Sequence, residues 1–160
     1  MKFVTIIFVL LCFLALACSK GTPVPLPVKV VGVAMEPALN DGDRVLINRN
    51  PAEFSRGDIV LFHSPEHRTM SYLKRIVGLP GETIEIREGK VFINGRPLEE
   101  PYVDPLNNQD VSGVKEIKIP TGSYYVLGDN RVNSADSRIW GPLGQGFIYG
   151  KFVSKYYSAK

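Results

Sequence analysis

The sequence predicts an all-β domain, mainly antiparallel and built as packed sheets or a barrel, behind one N-terminal membrane-associated helix. Three observations carry this prediction. From residue 28 onward, short β-branched runs are separated by Gly, Asp, Asn and Pro turns, with little helical periodicity. Glu88-Gly89 and Asn94-Gly95 punctuate neighbouring runs, and Asn-Gly suits the positive backbone angles of a tight hairpin. The N-terminus holds an uninterrupted apolar run, 3–18, directly after Lys2.

The apolar run enters a membrane. As a helix it would reach roughly 24 Å, somewhat short of a ~30 Å hydrocarbon core. A retained anchor, a lipidated Cys18 and a cleaved signal all stay open. Residues 14–18 read as an imperfect lipobox, and Ala15-Leu16-Ala17 reads as a small-x-small cleavage site. In each case Lys2 stays in the cytoplasm and the bulk of the chain lies outside, at the cell (inner) membrane. Residues 1–20 are therefore an anchor or signal segment. Residues 21–27, with Pro23, Pro25 and Pro27, form an extended linker, and 28–160 form the β domain.

Within that domain the expected strands are 28–33, 44–48, 59–62, 72–77, 83–87, 90–93, 123–127 and 148–156. Residues 102–113 are polar and asparagine-rich, and read as a surface loop over or beside a cleft. No internal repeat or low-complexity tract interrupts the pattern.

Composition excludes several classes of function. The chain has 160 residues with 44% hydrophobic content, enough for one compact domain. A net charge of +3 is too small to argue for nucleic acid, and at most supports a weak attraction to anionic lipid. Both cysteines, Cys12 and Cys18, lie in the apolar run, so the β domain has neither thiols nor disulfides. His63 and His67 flank Pro65, which argues against a helix presenting both imidazoles to one metal, so no metal or cofactor is expected.

Four segments carry the chemistry. The first is Gly32-Val33-Ala34-Met35-Glu36-Pro37-Ala38-Leu39, followed by Asp41-Gly42-Asp43; the second is Arg56-Gly57-Asp58 leading into an apolar strand. The third runs from Tyr72-Leu73-Lys74-Arg75 to Glu82, and the fourth from Gly128-Asp129-Asn130-Arg131 through Ser134 to Gly141. On a strand, Lys74 shares a face with Tyr72 and Ile76, while Leu73, Arg75 and Val77 point the other way. This sets one ammonium against apolar walls. Bringing its pKa from about 10.4 to neutrality takes ~4 kcal/mol of desolvation, after which it can accept a proton from a hydroxyl.

In this order the four segments resemble the boxes of the bacterial type I signal peptidases, membrane-anchored proteases with a Ser/Lys dyad, and the resemblance covers essentially all of 28–157. It implies endoproteolytic removal of signal peptides from exported preproteins after small-x-small sites. The partners would be those preproteins and membrane lipid, with no nucleic acid. By the same resemblance Lys74 is the base, and Met35 and Pro37 belong to the box that receives substrate. At Gly32, where some relatives carry a serine, the oxyanion donor reduces to the backbone N–H of residue 34. Ser134 would orient the lysine, and Asp129, Asp136 and Arg138 would pair and hold the surrounding loops.

One residue departs from the pattern: Ala34 stands where the family's nucleophilic serine would be. Without a hydroxyl the acyl-enzyme step cannot begin there. The chain is then a relative that kept the fold and lost its nucleophile, a substrate-trapping substitution, or an enzyme that uses another hydroxyl. Ser71, three residues before Lys74, falls on the opposite strand face, and Ser134 is the better candidate. The alternative function is a noncatalytic pseudo-peptidase that binds signal peptides or preproteins.

Overall fold

A computed structural model describes residues 24–109 and 113–159. The anchor, signal and lipidation readings of residues 1–20 fall outside these. No helix among the described residues is long and apolar enough to cross a membrane.

The described residues form eleven strands: β1 (Leu26–Lys29), β2 (Arg44–Asn48), β3 (Ile59–His63), β4 (Ser71–Gly78), β5 (Thr83–Arg87), β6 (Lys90–Ile93), β7 (Arg96–Pro97), β8 (Val114–Lys118), β9 (Ser123–Leu127), β10 (Leu143–Gly144) and β11 (Ile148–Tyr157). One short helix, α1 (Ser137–Trp140), follows β9. The strands make a seven-stranded sheet in the order β1-β2-β11-β3-β4-β9-β10 and a four-stranded sheet in the order β7-β6-β5-β8. Every pairing is antiparallel.

Strands 44–48, 83–87, 90–93 and 123–127 coincide with the sequence expectation, and 59–62, 72–77 and 148–156 each gain a residue or two. Arg87 pairs with Lys90 and Ile93 with Arg96, so Glu88-Gly89 and Asn94-Gly95 are two-residue hairpin turns. Glu88 and Asn94 both have φ of 50°, as such turns require.

The first strand differs. It starts at Leu26, inside the segment read as linker, and ends at Lys29 rather than 33. Pro27 is tolerated because β1 is an edge strand, where a missing N–H costs no ladder bond. The strand stops where Val30 donates to the Asp43 carbonyl and Gly32, at φ +88°, turns the chain. Strand β8 was not expected, since Lys115, Glu116 and Lys118 mask its pattern. Only Val114 and Ile117 pack inward.

Strand β4 organises the interior because its side chains reach three separate clusters. Val77 joins Ile84, Val91 and Ile119 beneath the small sheet. Leu73 packs against the cluster of Val30, Met35, Leu39 and Leu61. Ile76 and Tyr72 meet Val60, Phe62 and Trp140. At about 1.5–3 kcal/mol for each fully buried large apolar side chain, this packing fixes β4 firmly. Lys74 lies in that strand with 4% of its surface exposed.

Candidate active site

The turn after β1 is built largely by backbone hydrogen bonds. The Gly32 N–H donates to Asp41 Oδ1 at 2.7 Å, and the Glu36 N–H donates to the Val33 carbonyl at 3.1 Å. The Ala34 carbonyl accepts the Asn130 N–H at 3.1 Å, which ties this turn to the fourth sequence box. Gly128 makes that approach possible, since a Cβ there would sit 2.5 Å from the Ala34 oxygen and collide with the Ser134 side chain. Because the Gly32 N–H is engaged, it cannot also serve a ligand. Among the described residues the Ala34 N–H has no acceptor.

Lys74 comes to the same place from β4. Its Nζ lies 5.4 Å from the centroid of the Tyr72 ring, so the two residues share a face as strand alternation predicts. Burial pushes the amine down to about 8, while the carboxylates of Asp136 and Asp129 pull it back up and Arg138 lowers it further. A substantial neutral fraction therefore exists near pH 8, the state a proton acceptor needs. Ser134 Oγ is buried and has no hydrogen-bond partner among the described residues. In this arrangement it makes no hydrogen bond to Lys74.

Lys74 and Ala34 line one groove of about 380 Å³, together with Val28, Val30, Met35 and Leu61. Strands β1 and β4 are not neighbours in the sheet, so the sheet curls to bring them to opposite walls. Both walls carry open strand edges. Among the described residues, strand β1 pairs only with β2, and β9 pairs with β4 only from Arg75 onward, leaving 71–74 without a described strand on that side. An extended peptide laid in the groove would find backbone groups to pair with on each wall.

The remaining expected residues fall into two groups. Met35, 2% exposed, both packs in the core and lines the groove. Pro37 is exposed, follows a cis peptide bond and is not part of the groove wall. Asp136 is a hub: it accepts the Gly128 N–H at 3.1 Å and caps α1 through the Arg138 N–H. It also takes two bonds from the Arg138 guanidinium, at 2.7 and 2.8 Å. Arg138 further donates to the Ser134 carbonyl at 3.1 Å, which fixes the backbone around that hydroxyl. Asp129 pairs instead with Arg75, in a fork of 2.8 and 2.6 Å, and Arg75 also reaches the Gly57 carbonyl at 2.8 Å.

Sequence reading missed a second layer behind this loop. Arg131 forms an ion pair with Glu100 at 2.6 Å and donates to the Gly128 carbonyl at 2.9 Å. The Tyr102 hydroxyl donates to Glu100 at 2.8 Å, and the Arg75 guanidinium lies 4.1 Å over the Tyr102 ring. The start of the expected surface loop is thus packed into the scaffold. Partners thirty-one residues apart leave no periodic signal that could have revealed the pair. Ser71 differs as well: it belongs to the groove wall, held by a 2.7 Å hydrogen bond from the Tyr149 hydroxyl.

Comparison with known proteins bears directly on this arrangement. Residues 1–157 match the family described as Signal peptidase, peptidase S26. The chain belongs to this signal peptidase family. It is 36% identical over 151 residues to signal peptidase I V of Bacillus subtilis (strain 168), covering 84% of this chain and 88% of that one. It is 39% identical over 122 residues to signal peptidase I of Bacillus licheniformis, covering 70% and 65%. Among solved structures it is similar to a signal peptidase I from Enterococcus faecalis V583, with a TM-score of 0.53 and 33% identity over 65% of this chain and 100% of that chain. Family members of this kind are serine endopeptidases, and the mainly antiparallel β architecture agrees with the solved relative.

Proposed function

We propose that this chain carries the substrate-binding and general-base parts of a signal peptidase I, and that the methyl group of Ala34 closes its acyl-transfer step. The observation that carries the reading is the joint placement of a buried Lys74, its amine lowered to about 8, and of Ala34 in one groove with open strand edges. The substrate is the small-x-small end of an exported preprotein's signal peptide. The apolar run 3–18 holds the β domain against the outer face of the cell membrane, so the groove meets a signal peptide as it leaves the bilayer.

A serine at 34 would place Oγ beside the Lys74 amine. Nζ would take its proton as Oγ attacks the scissile carbonyl, and the Ala34 N–H, free of other acceptors among the described residues, would receive the developing oxyanion. Lys74, now an ammonium, would return the proton to the leaving amine, and a water activated by the neutral amine would release the acyl group. As it stands the chain grips signal peptides without cutting them, because Ala34 carries no hydroxyl to attack the scissile carbonyl.

The test is Ala34→Ser, incubated with a secretory preprotein in detergent. The expected result is mature product from Ala34→Ser and none from the unaltered chain or from Ala34→Ser/Lys74→Met. If Ala34→Ser releases no more product than the unaltered chain, the proposal fails.

A further inference from the structure

The groove wall includes one side chain, Tyr149, that the chemistry above does not use. Tyr149 lies where the pairing of β11 with β3 slips, between Ile148 opposite Phe62 and Gly150 opposite Leu61. Such an irregularity re-aims a side chain. Here it sends the Tyr149 ring toward β4, two strands away, where the hydroxyl donates to Ser71 Oγ at 2.7 Å. His63, which pairs with Ser71 across β3 and β4, stacks on the ring at 4.3 Å between centroids and 25° between planes. The ring also packs on the cluster containing Leu61 and Met35. It is therefore fixed from three directions, and it faces the groove.

Strand spacing says where an extended peptide would meet this wall. Ser71 is three residues from Lys74 along β4, roughly 10 Å. In an extended peptide with its scissile carbonyl at residue 34, alternate side chains point to the same wall. The side chain next to the cut and the one two residues earlier are thus about 7 Å apart. With the peptide's N-terminal side running from Lys74 toward Ser71, the second of these would come up against Tyr149 and Ser71.

We propose that Tyr149, latched to Ser71 and stacked on His63, is a specificity-determining residue that limits the size of the third side chain before the cleavage position. This rests on the groove being the signal-peptide site. It assigns the size limit at that one position to a side chain outside all four sequence boxes.

The test uses the full-length unaltered chain in mild detergent, where Ala34 allows equilibrium binding without turnover. Fluorescein-labelled peptides carry Ala or Leu at the third position before the cut, and a second pair carries Ala or Leu at the position next to the cut. The unaltered chain should prefer Ala by about tenfold or more in both pairs, in the range that small steric differences in a pocket produce. Tyr149→Ala should bring the first ratio to within about twofold, by tightening the Leu peptide, and leave the second ratio unchanged. Tyr149→Phe keeps the ring and should lose only part of the first preference. Should Tyr149→Ala not fold, Tyr149→Leu keeps an apolar contact with a shorter side chain, and the same change in the first ratio is expected. An unchanged first ratio, or an equal collapse of both, overturns the assignment to Tyr149 while the groove reading stands. No binding of any peptide to the unaltered chain overturns both.

Discussion

Replacing Lys74 with Met should stabilise the protein at neutral pH, because it removes a charge that the fold keeps from water. Lys74 is 4% exposed, and burial holds its amine at about 8 against 10.5 for a free lysine. Each unit of difference corresponds to about 1.4 kcal/mol, so the charged form costs the native state on the order of 3 kcal/mol. The pH dependence follows from the direction of that shift. Below about pH 8 both native and unfolded chains carry the proton and the native state bears the full penalty. Between about 8 and 10.5 the native amine is neutral while the unfolded one is still charged, so the native state gains stability as pH rises. Above that window the penalty is gone. The gain from Lys74→Met should therefore be largest at pH 7 and shrink steadily toward pH 10.5. Met retains most of the side-chain volume and the contact with Tyr72, so little packing is lost. Thermal unfolding followed by fluorescence of Trp140, the protein's one tryptophan, gives the difference at each pH. A melting shift of up to roughly 10 °C at pH 7 is expected. A Lys74→Met variant that is no more stable at pH 7, with a difference that does not change up to pH 10.5, would mean that the ammonium is solvated and the burial argument is wrong.

The same amine sets the pH profile of Ala34→Ser. Activity should rise with pH through an apparent pKa near 8 as Lys74 becomes neutral, and a flat kcat/KM profile from pH 6 to 9 would assign the base elsewhere. Arg75→Gln strands the fully buried carboxylate of Asp129, and should cost about 3–5 kcal/mol in unfolding experiments, whereas Arg87→Gln, at an exposed pair, should cost under about 1 kcal/mol. Asp43 is held at about 2, chiefly by its hydrogen bond from Lys155. The stability it contributes is complete above the unfolded carboxylate range and disappears as pH falls through about 2. Lys155→Met should therefore lower the melting temperature at pH 7 and make the loss between pH 4 and pH 2 shallower, both read from acid melting curves.

Much of the fold could be read from the sequence because its strands alternate and its turns use residues with positive φ. Asn94-Gly95 and the 83–87 and 90–93 runs define a hairpin on local grounds alone. Strand β8 escaped because three charged residues in five hide a two-residue apolar face. The end of β1 escaped because it depends on a distant partner, the Asp43 carbonyl. At the site, alternation placed Lys74 on the face of Tyr72, and that placement is what the structure shows. The same rule put Ser71 opposite Lys74. It says nothing, however, about a curled sheet whose groove takes in the end of the strand, or about a tyrosine reaching in from β11. The Glu100–Arg131 and Arg75–Asp129 pairs join segments far apart in the chain, where local periodicity carries no information.

The Ala34 main chain is held by the Asn130 amide and by the space that Gly128 leaves empty, and neither contact involves the side chain at 34. Shape and reactivity are thus written in different positions of this protein. Alanine and serine codons can differ by a single base, so one point mutation would place a hydroxyl at this turn while leaving in place the contacts that hold its main chain.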